Sequence, residues 1–141
     1  MAVAPSRVLL VGEGRTPVGS LAAILRADGH EVFTAACEPA AELAAAVAAA
    51  DALVVAGEGC ADHCLAILTE IRAAQPELPI ILIGRGCRVD TALRALRLGS
   101  VDYLSRPVEP RKLRERVDDA VERRACLADL ARWRAEQEGA T

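Results

Sequence analysis

Five short apolar runs, each followed by a stretch with helical spacing, constrain this chain more than any other feature. The runs are Arg7–Val11, Glu31–Ala35, Ala52–Ala56, Pro79–Ile83 and Asp102–Leu104. Runs this short and rich in Val, Ile and Leu suit strands, and Pro79-Ile-Ile-Leu-Ile83, apolar at every position after its Pro, suits a central strand buried on both faces. The intervening segments repeat apolar residues every three or four positions. Val18, Leu21, Ile24 and Leu25 mark a helix from about Pro17 to Asp28 that Gly29 closes. Glu38-Pro39 opens an Ala-rich helix through about Ala50, with Pro where its missing N–H does no harm. Leu65, Leu68, Ile71 and Arg72 mark a third helix that stops before Pro76. A fourth spans roughly Val89 to Leu98, and Glu109-Pro110 introduces a long last one. Strict alternation of strand and helix predicts an α/β fold: a doubly wound, five-stranded parallel sheet with helices on both faces.

The 141 residues, 52% of them apolar, suffice for one compact domain with a core and an appendage. No apolar stretch reaches the roughly 18 residues of a membrane span, and none precedes the first strand as a secretory leader. Five cysteines, at 37, 60, 64, 87 and 126, are an odd number and argue against a disulfide framework; a reducing cytoplasm is the expected setting. The net charge of −3 exerts no general pull on nucleic acid. Nine of the seventeen basic residues lie between Arg106 and Arg134, interleaved with Asp and Glu, which favours ion pairs along a helix over a phosphate track.

Ligands of open parallel sheets bind beyond the carboxyl ends of the strands. That crest is built here from Gly12-Glu13-Gly14, Ala56-Gly57-Glu58, Gly84-Arg85-Gly86 and Ser105-Arg106-Pro107. Ala56 ends the third strand with a methyl group, which is neither acid, base nor nucleophile. Gly12-Glu13-Gly14 lacks the later glycine spacing of a dinucleotide fingerprint.

With these loops in place, residues 6 to 125 resemble the receiver domain of bacterial two-component response regulators. The resemblance rests on Ala27-Asp28-Gly29 leading into Glu31-Val32, on Ile71-Arg72 with Pro79-Ile80, and on Leu98-Gly99-Ser100-Val101-Asp102-Tyr103-Leu104-Ser105-Arg106-Pro107. It implies strand order 2-1-3-4-5. In that family two adjacent acids after the first strand and an acceptor Asp after the third hold Mg²⁺; a Ser or Thr after the fourth strand and a Lys before a Pro coordinate the phosphoryl group. The matching positions here are Gly12 and Glu13, Ala56, Gly84 and Arg106, so three of the five lack the functional group. A single Glu leaves too few fixed oxygen ligands for Mg²⁺. The resemblance is therefore to a degenerate, pseudo-receiver form: neither an enzyme nor a holder of a cofactor or metal. Arg106 either reaches Glu13, filling the space of a metal, or faces solvent. Tyr103 and Pro107 shape what is the switching and dimerisation face in receivers, with Tyr103 expected as a half-buried packing residue whose hydroxyl lies at the surface.

Two other readings compete. Arg85, Arg88 and Arg106, with the crest glycines, could cradle a small anion, opposed by Glu13 and Glu58. Cys60, His63 and Cys64, with Cys87 in the next crest loop, offer groups that suit Zn²⁺ or redox sensing, although adjacent His63 and Cys64 are awkward joint ligands on a helix. His30 reads as a surface turn residue.

In the last helix, Leu113, Val117, Ala120 and Val121 are expected to pack on the domain, while Leu127, Leu130, Ala131 and Trp133 continue an apolar stripe past its edge. The division is a receiver-like domain at 1–124 and a helical extension or linker at 125–141. The stripe either pairs with its copy in a homodimer or folds back on its own domain. The ending also resembles the linker of regulators that carry an ATPase and a DNA-binding module, so the expected partners are a second copy and an effector domain or protein. The chain itself has no G-x-x-x-x-G-K-[ST] motif. Contact with membrane or direct contact with nucleic acid is not expected. The functional expectation is a non-phosphorylatable signalling module that regulates a transcriptional effector by protein contact, with a redox- or ligand-sensing module or a stand-alone adaptor as alternatives.

Overall fold

The computed structural model describes residues 6–12, 17–36, 40–57, 62–85, 89–97 and 101–139, with the side chains at 40, 62–67, 89–92 and 101 excepted. The elements run β1 (Arg7–Gly12), α1 (Gly19–Ala27), β2 (Glu31–Ala36), α2 (Ala40–Ala48), β3 (Ala52–Ala56), α3 (Asp62–Ala74), β4 (Ile80–Gly84), α4 (Val89–Arg97), β5 (Val101–Ser105) and α5 (Pro110–Gly139). All strand pairs are parallel and the order is β2-β1-β3-β4-β5, as the receiver resemblance implies.

Side chains on a strand alternate between faces, so the apolar runs feed two cores at once. Leu9, Val11, Leu53, Val55, Ile80 and Leu82 point to one face, where Leu43 and Val47 of α2, Leu68 and Ile71 of α3 and Ala95 of α4 cover them. Val8, Leu10, Val54, Ala56, Ile81, Ile83 and Leu104 point to the other, under Leu21, Ala22 and Leu25 of α1 and Leu113, Val117 and Val121 of α5. Each fully buried Leu, Ile or Val contributes roughly 1.5–3 kcal/mol over an exposed one, before the entropy of ordering is subtracted.

The helix ends follow from local chemistry. Gly29, at φ 95°, turns the chain out of α1, and the amides of Gly29 and His30 donate to the carbonyls of Arg26 and Leu25. Arg72 donates through Nη1 to the carbonyls of Gln75 and Pro76, fixing the exit from α3; partial burial lowers its pKa. α2 stops at Ala48, short of the expected Ala50, because Ala50 is buried and the Asp51 amide already donates to the Arg7 carbonyl at 2.7 Å.

α5 docks only along its first half. Arg124 Nη1 donates to the Ala50 carbonyl at 3.1 Å and lies 3.5 Å from Asp51 Oδ1. Every described residue from 125 to 139 is exposed. No described helix is long and apolar enough to cross a membrane.

Candidate functional site

Strand register assembles the crest. β1 pairs Gly12 with Ala56, β3 pairs Ala56 with Ile83, and β4 pairs Ile83 with Leu104 and Gly84 with Ser105. Gly12, Ala56, Gly84 and Arg106 therefore converge on the carboxyl edge of the three adjacent strands β1, β3 and β4 and of edge strand β5. Ala56 is fully buried, its methyl part of the core beneath α1 and α5. At the two described positions that the resemblance assigns to the acceptor carboxylate and the hydroxyl stand Ala56 and Gly84, which carry neither group.

Arg106 occupies this edge in a way the sequence did not indicate. Its amide donates to the Gly84 carbonyl at 2.9 Å, extending the β4–β5 ladder by one step. Its Nε donates to the Gly57 carbonyl, also at 2.9 Å, and the Gly57 amide donates to Ile83. The guanidinium thus ties the turn after β5 to the end of β3. The side chain is half-buried, which corrects the solvent-facing alternative. The other alternative, a pair with Glu13, falls on a residue outside those described. Among the described residues the buried Nη2 has no hydrogen-bond acceptor, a cost set against the charge-assisted bond at Nε. The Arg106–Pro107 peptide is cis, and Pro107 is exposed.

Tyr103 is half-buried, as expected, and packs on the core shared with α4. Its hydroxyl is buried, however, correcting the expectation of a surface hydroxyl; β5 lies under α4, so the ring tip ends inside the contact. Asp102 Oδ1 accepts from the Tyr103 amide at 3.0 Å, and Oδ2 accepts from Arg116 Nη1 at 2.8 Å, joining β5 to α5. That exposed pair contributes at most about 1 kcal/mol. Leu93 and Leu96 on α4 are exposed.

The expected stripe of α5 is solvent-facing: Leu127, Leu130 and Trp133 are 58%, 43% and 57% exposed. This overturns the alternative in which the helix folds back on its own domain, because α5 continues unbroken to Gly139. At the opposite end of the sheet from the crest, a groove of about 440 Å³ runs beneath α5, lined by Ile81, Asp102, Arg116, Arg123 and Leu127 among others. Of the anion-cradle residues, Arg85 is exposed; Gly14, Glu58, Gly86 and Arg88 lie outside the described residues, as do the side chains of Cys60, His63, Cys64 and Cys87. Cys126 is an exposed free thiol.

One polar cluster went unrecognised in the sequence. His30 is 5% exposed, not a surface residue, because the turn at Gly29 sends its ring under α5. Its Nε2 lies 2.7 Å from Asp118 Oδ1 and 3.4 Å from Asp28 Oδ2. Burial, reinforced by the Asp28 carboxylate, raises the Asp118 pKa above its ordinary value against the opposing pull of His30. The available signal was Asp118 standing next to Val117 in the buried stripe.

No family model matches the chain. Among curated proteins it is 29% identical over 124 residues to the alginate biosynthesis transcriptional regulatory protein AlgB of Pseudomonas aeruginosa, covering 88% of this chain and 28% of that protein. It is 36% identical over 111 residues to the response regulator protein FleR of the same organism, covering 77% of this chain and 23% of that one. It thus spans about a quarter of the length of these relatives. Among solved structures, NtrX from Brucella abortus, crystallised with ADP, superposes with a TM-score of 0.76 at 27% identity, over 92% of this chain and 29% of that one. Sheet order, crest register and these matches together make the chain a receiver-like domain, closely related to the receiver domains of two-component transcriptional response regulators.

Proposed function

We propose that this domain signals without an aspartyl phosphate, regulating a transcriptional effector through protein contact and dimerisation. The carrying observation is the crest itself: a fully buried Ala56 where the family resemblance calls for the acceptor, flanked by Gly12 and Gly84. A ligand or modification shifts a conformational equilibrium only by its differential interaction with the two states. Here the group that would form that interaction is absent, and Arg106 already holds the β5–α5 turn against β3. The surface is then constant, and regulation passes to which partner is present and at what concentration.

The stripe of Leu127, Leu130 and Trp133 supports a second copy as one partner, since such a helix gains most by burying its apolar side against a like helix. The effector reading draws on the longer relatives, of which AlgB is named a transcriptional regulatory protein and FleR a response regulator protein. A catalytic role is not part of the proposal. Incubation with a small-molecule phosphodonor and Mg²⁺, followed by intact mass, is expected to leave the mass unchanged. A stable added phosphate mapped to Glu13 or Glu58 would overturn the reading.

A further inference from the structure

We propose that Asp28, His30 and Asp118 form a divalent transition-metal site, best suited to Zn²⁺, that fastens α5 to the corner between α1 and β2. One ligand atom from each residue falls within 4.8 Å of the others. The three come from separate elements: the C-cap of α1, the residue leading into β2, and the buried half of α5. A tetrahedral ion with bonds of about 2.0–2.1 Å places its ligand atoms about 3.3 Å apart. The His30–Asp28 separation of 3.4 Å already matches. The 2.7 Å from His30 to Asp118 is a hydrogen bond and must open by about 0.6 Å, within the reach of one carboxylate rotation.

A second, independent feature points to a cation. Asp28 caps the carboxyl end of α1, where the helix dipole disfavours negative charge. It is held there beside a second carboxylate, and among the described residues both acids have only His30 as an ion-pair partner, with no Arg or Lys. A dication satisfies both placements, and two carboxylates with a neutral imidazole balance its charge. The imidazole selects against Mg²⁺ and Ca²⁺, which take oxygen ligands. Asp28 is exposed, so the fourth position opens to water. Affinity is limited by His30 Nδ1, which is buried without a hydrogen-bond partner among the described residues and would carry the proton when Nε2 binds metal. The site is therefore weaker than one whose second ring nitrogen is held by an acceptor.

The test is calorimetric titration of the full chain with ZnCl₂, after chelator treatment and under a phosphine reductant. One ion per chain is expected to bind. Asp28→Asn and Asp118→Asn should each weaken binding about tenfold or more, whereas Cys60→Ser combined with Cys64→Ser should not. Zn²⁺ should raise the thermal midpoint of the parent chain but not of Asp28→Asn, whose midpoint in chelator should equal or exceed the parent's. Mg²⁺ should do neither. Binding unchanged in Asp28→Asn, binding lost with the two cysteines, thiolate charge-transfer absorption on Co²⁺ substitution, or no saturable binding up to millimolar Zn²⁺ would each overturn the proposal.

Discussion

Arg106 donates from Nε to the carbonyl oxygen of Gly57 across 2.9 Å, so the turn leaving β5 is bolted to the end of β3 by a side chain. A lysine in that place would offer one flexible point charge where the guanidinium offers a fixed fork. Arg106→Ala is expected to lower stability by about 1–3 kcal/mol in chemical denaturation and to speed amide exchange in the β5–α5 turn. Arg106→Lys should recover less than half of that loss. An unchanged midpoint in the Ala variant would show that the bond contributes nothing.

Reinstating the acid should not reinstate the chemistry. In Ala56→Asp the new carboxyl enters a fully buried position beside Gly12 and Gly84, where burial and crowding cost about 1–3 kcal/mol. Intact mass after phosphodonor treatment is expected to match the untreated variant, because Gly12 and Gly84 still supply neither the second acid nor the hydroxyl. A rise of one phosphate would show that the rest of the crest remains competent.

The two halves of α5 should separate in their effects. Leu113 is fully buried beneath the sheet, and Leu113→Ala is expected to cost about 2–5 kcal/mol with little change in subunit association. Leu130→Ala should leave the stability of the monomer within about 0.5 kcal/mol of the parent while weakening the dimer. Thermal melts at low concentration and light scattering at high concentration distinguish these outcomes, and equal destabilisation by both would contradict the division.

Ending the chain at Arg124 is expected to give a folded monomer by light scattering at concentrations where the full chain has twice the mass. Circular dichroism should show loss of helix only in proportion to the residues removed. A truncated chain that still dimerises would move the interface to the surface of α4, β5 and the first half of α5, where Leu93 and Leu96 are exposed.

Strand positions were readable because parallel strands buried on both faces must be written almost wholly in Val, Ile, Leu and Ala, as β3 is throughout and β4 is up to its closing Gly84, while the sheet order was supplied by the receiver resemblance. The crest positions followed from the same register, since the last residue of each strand fixes which loops meet. What the sequence withheld were contacts whose acceptors or partners leave no local mark. The oxygen that Arg106 meets belongs to a backbone carbonyl, which any residue type would supply. The burial of His30 depends on Asp118, eighty-eight positions away in the chain. Gly29 announces a turn, but not the side of the sheet to which the next ring is sent. The Tyr103 hydroxyl was misplaced for a similar reason: its burial is decided by how closely α4 lies over β5, not by anything in β5.

An unbroken helix anchored at only one end is a lever. Eighteen residues follow Val121, the last buried position of α5, before the helix ends at Gly139, and at 1.5 Å each they reach about 27 Å from the fulcrum. A tilt of about 10° where Leu113, Val117 and Val121 meet the sheet would carry the far end some 5 Å sideways, nearly the 5.4 Å pitch of a helix. A repacking too small to notice in the core would thereby be magnified into a sideways sweep beyond Trp133 of about half the width of a helix.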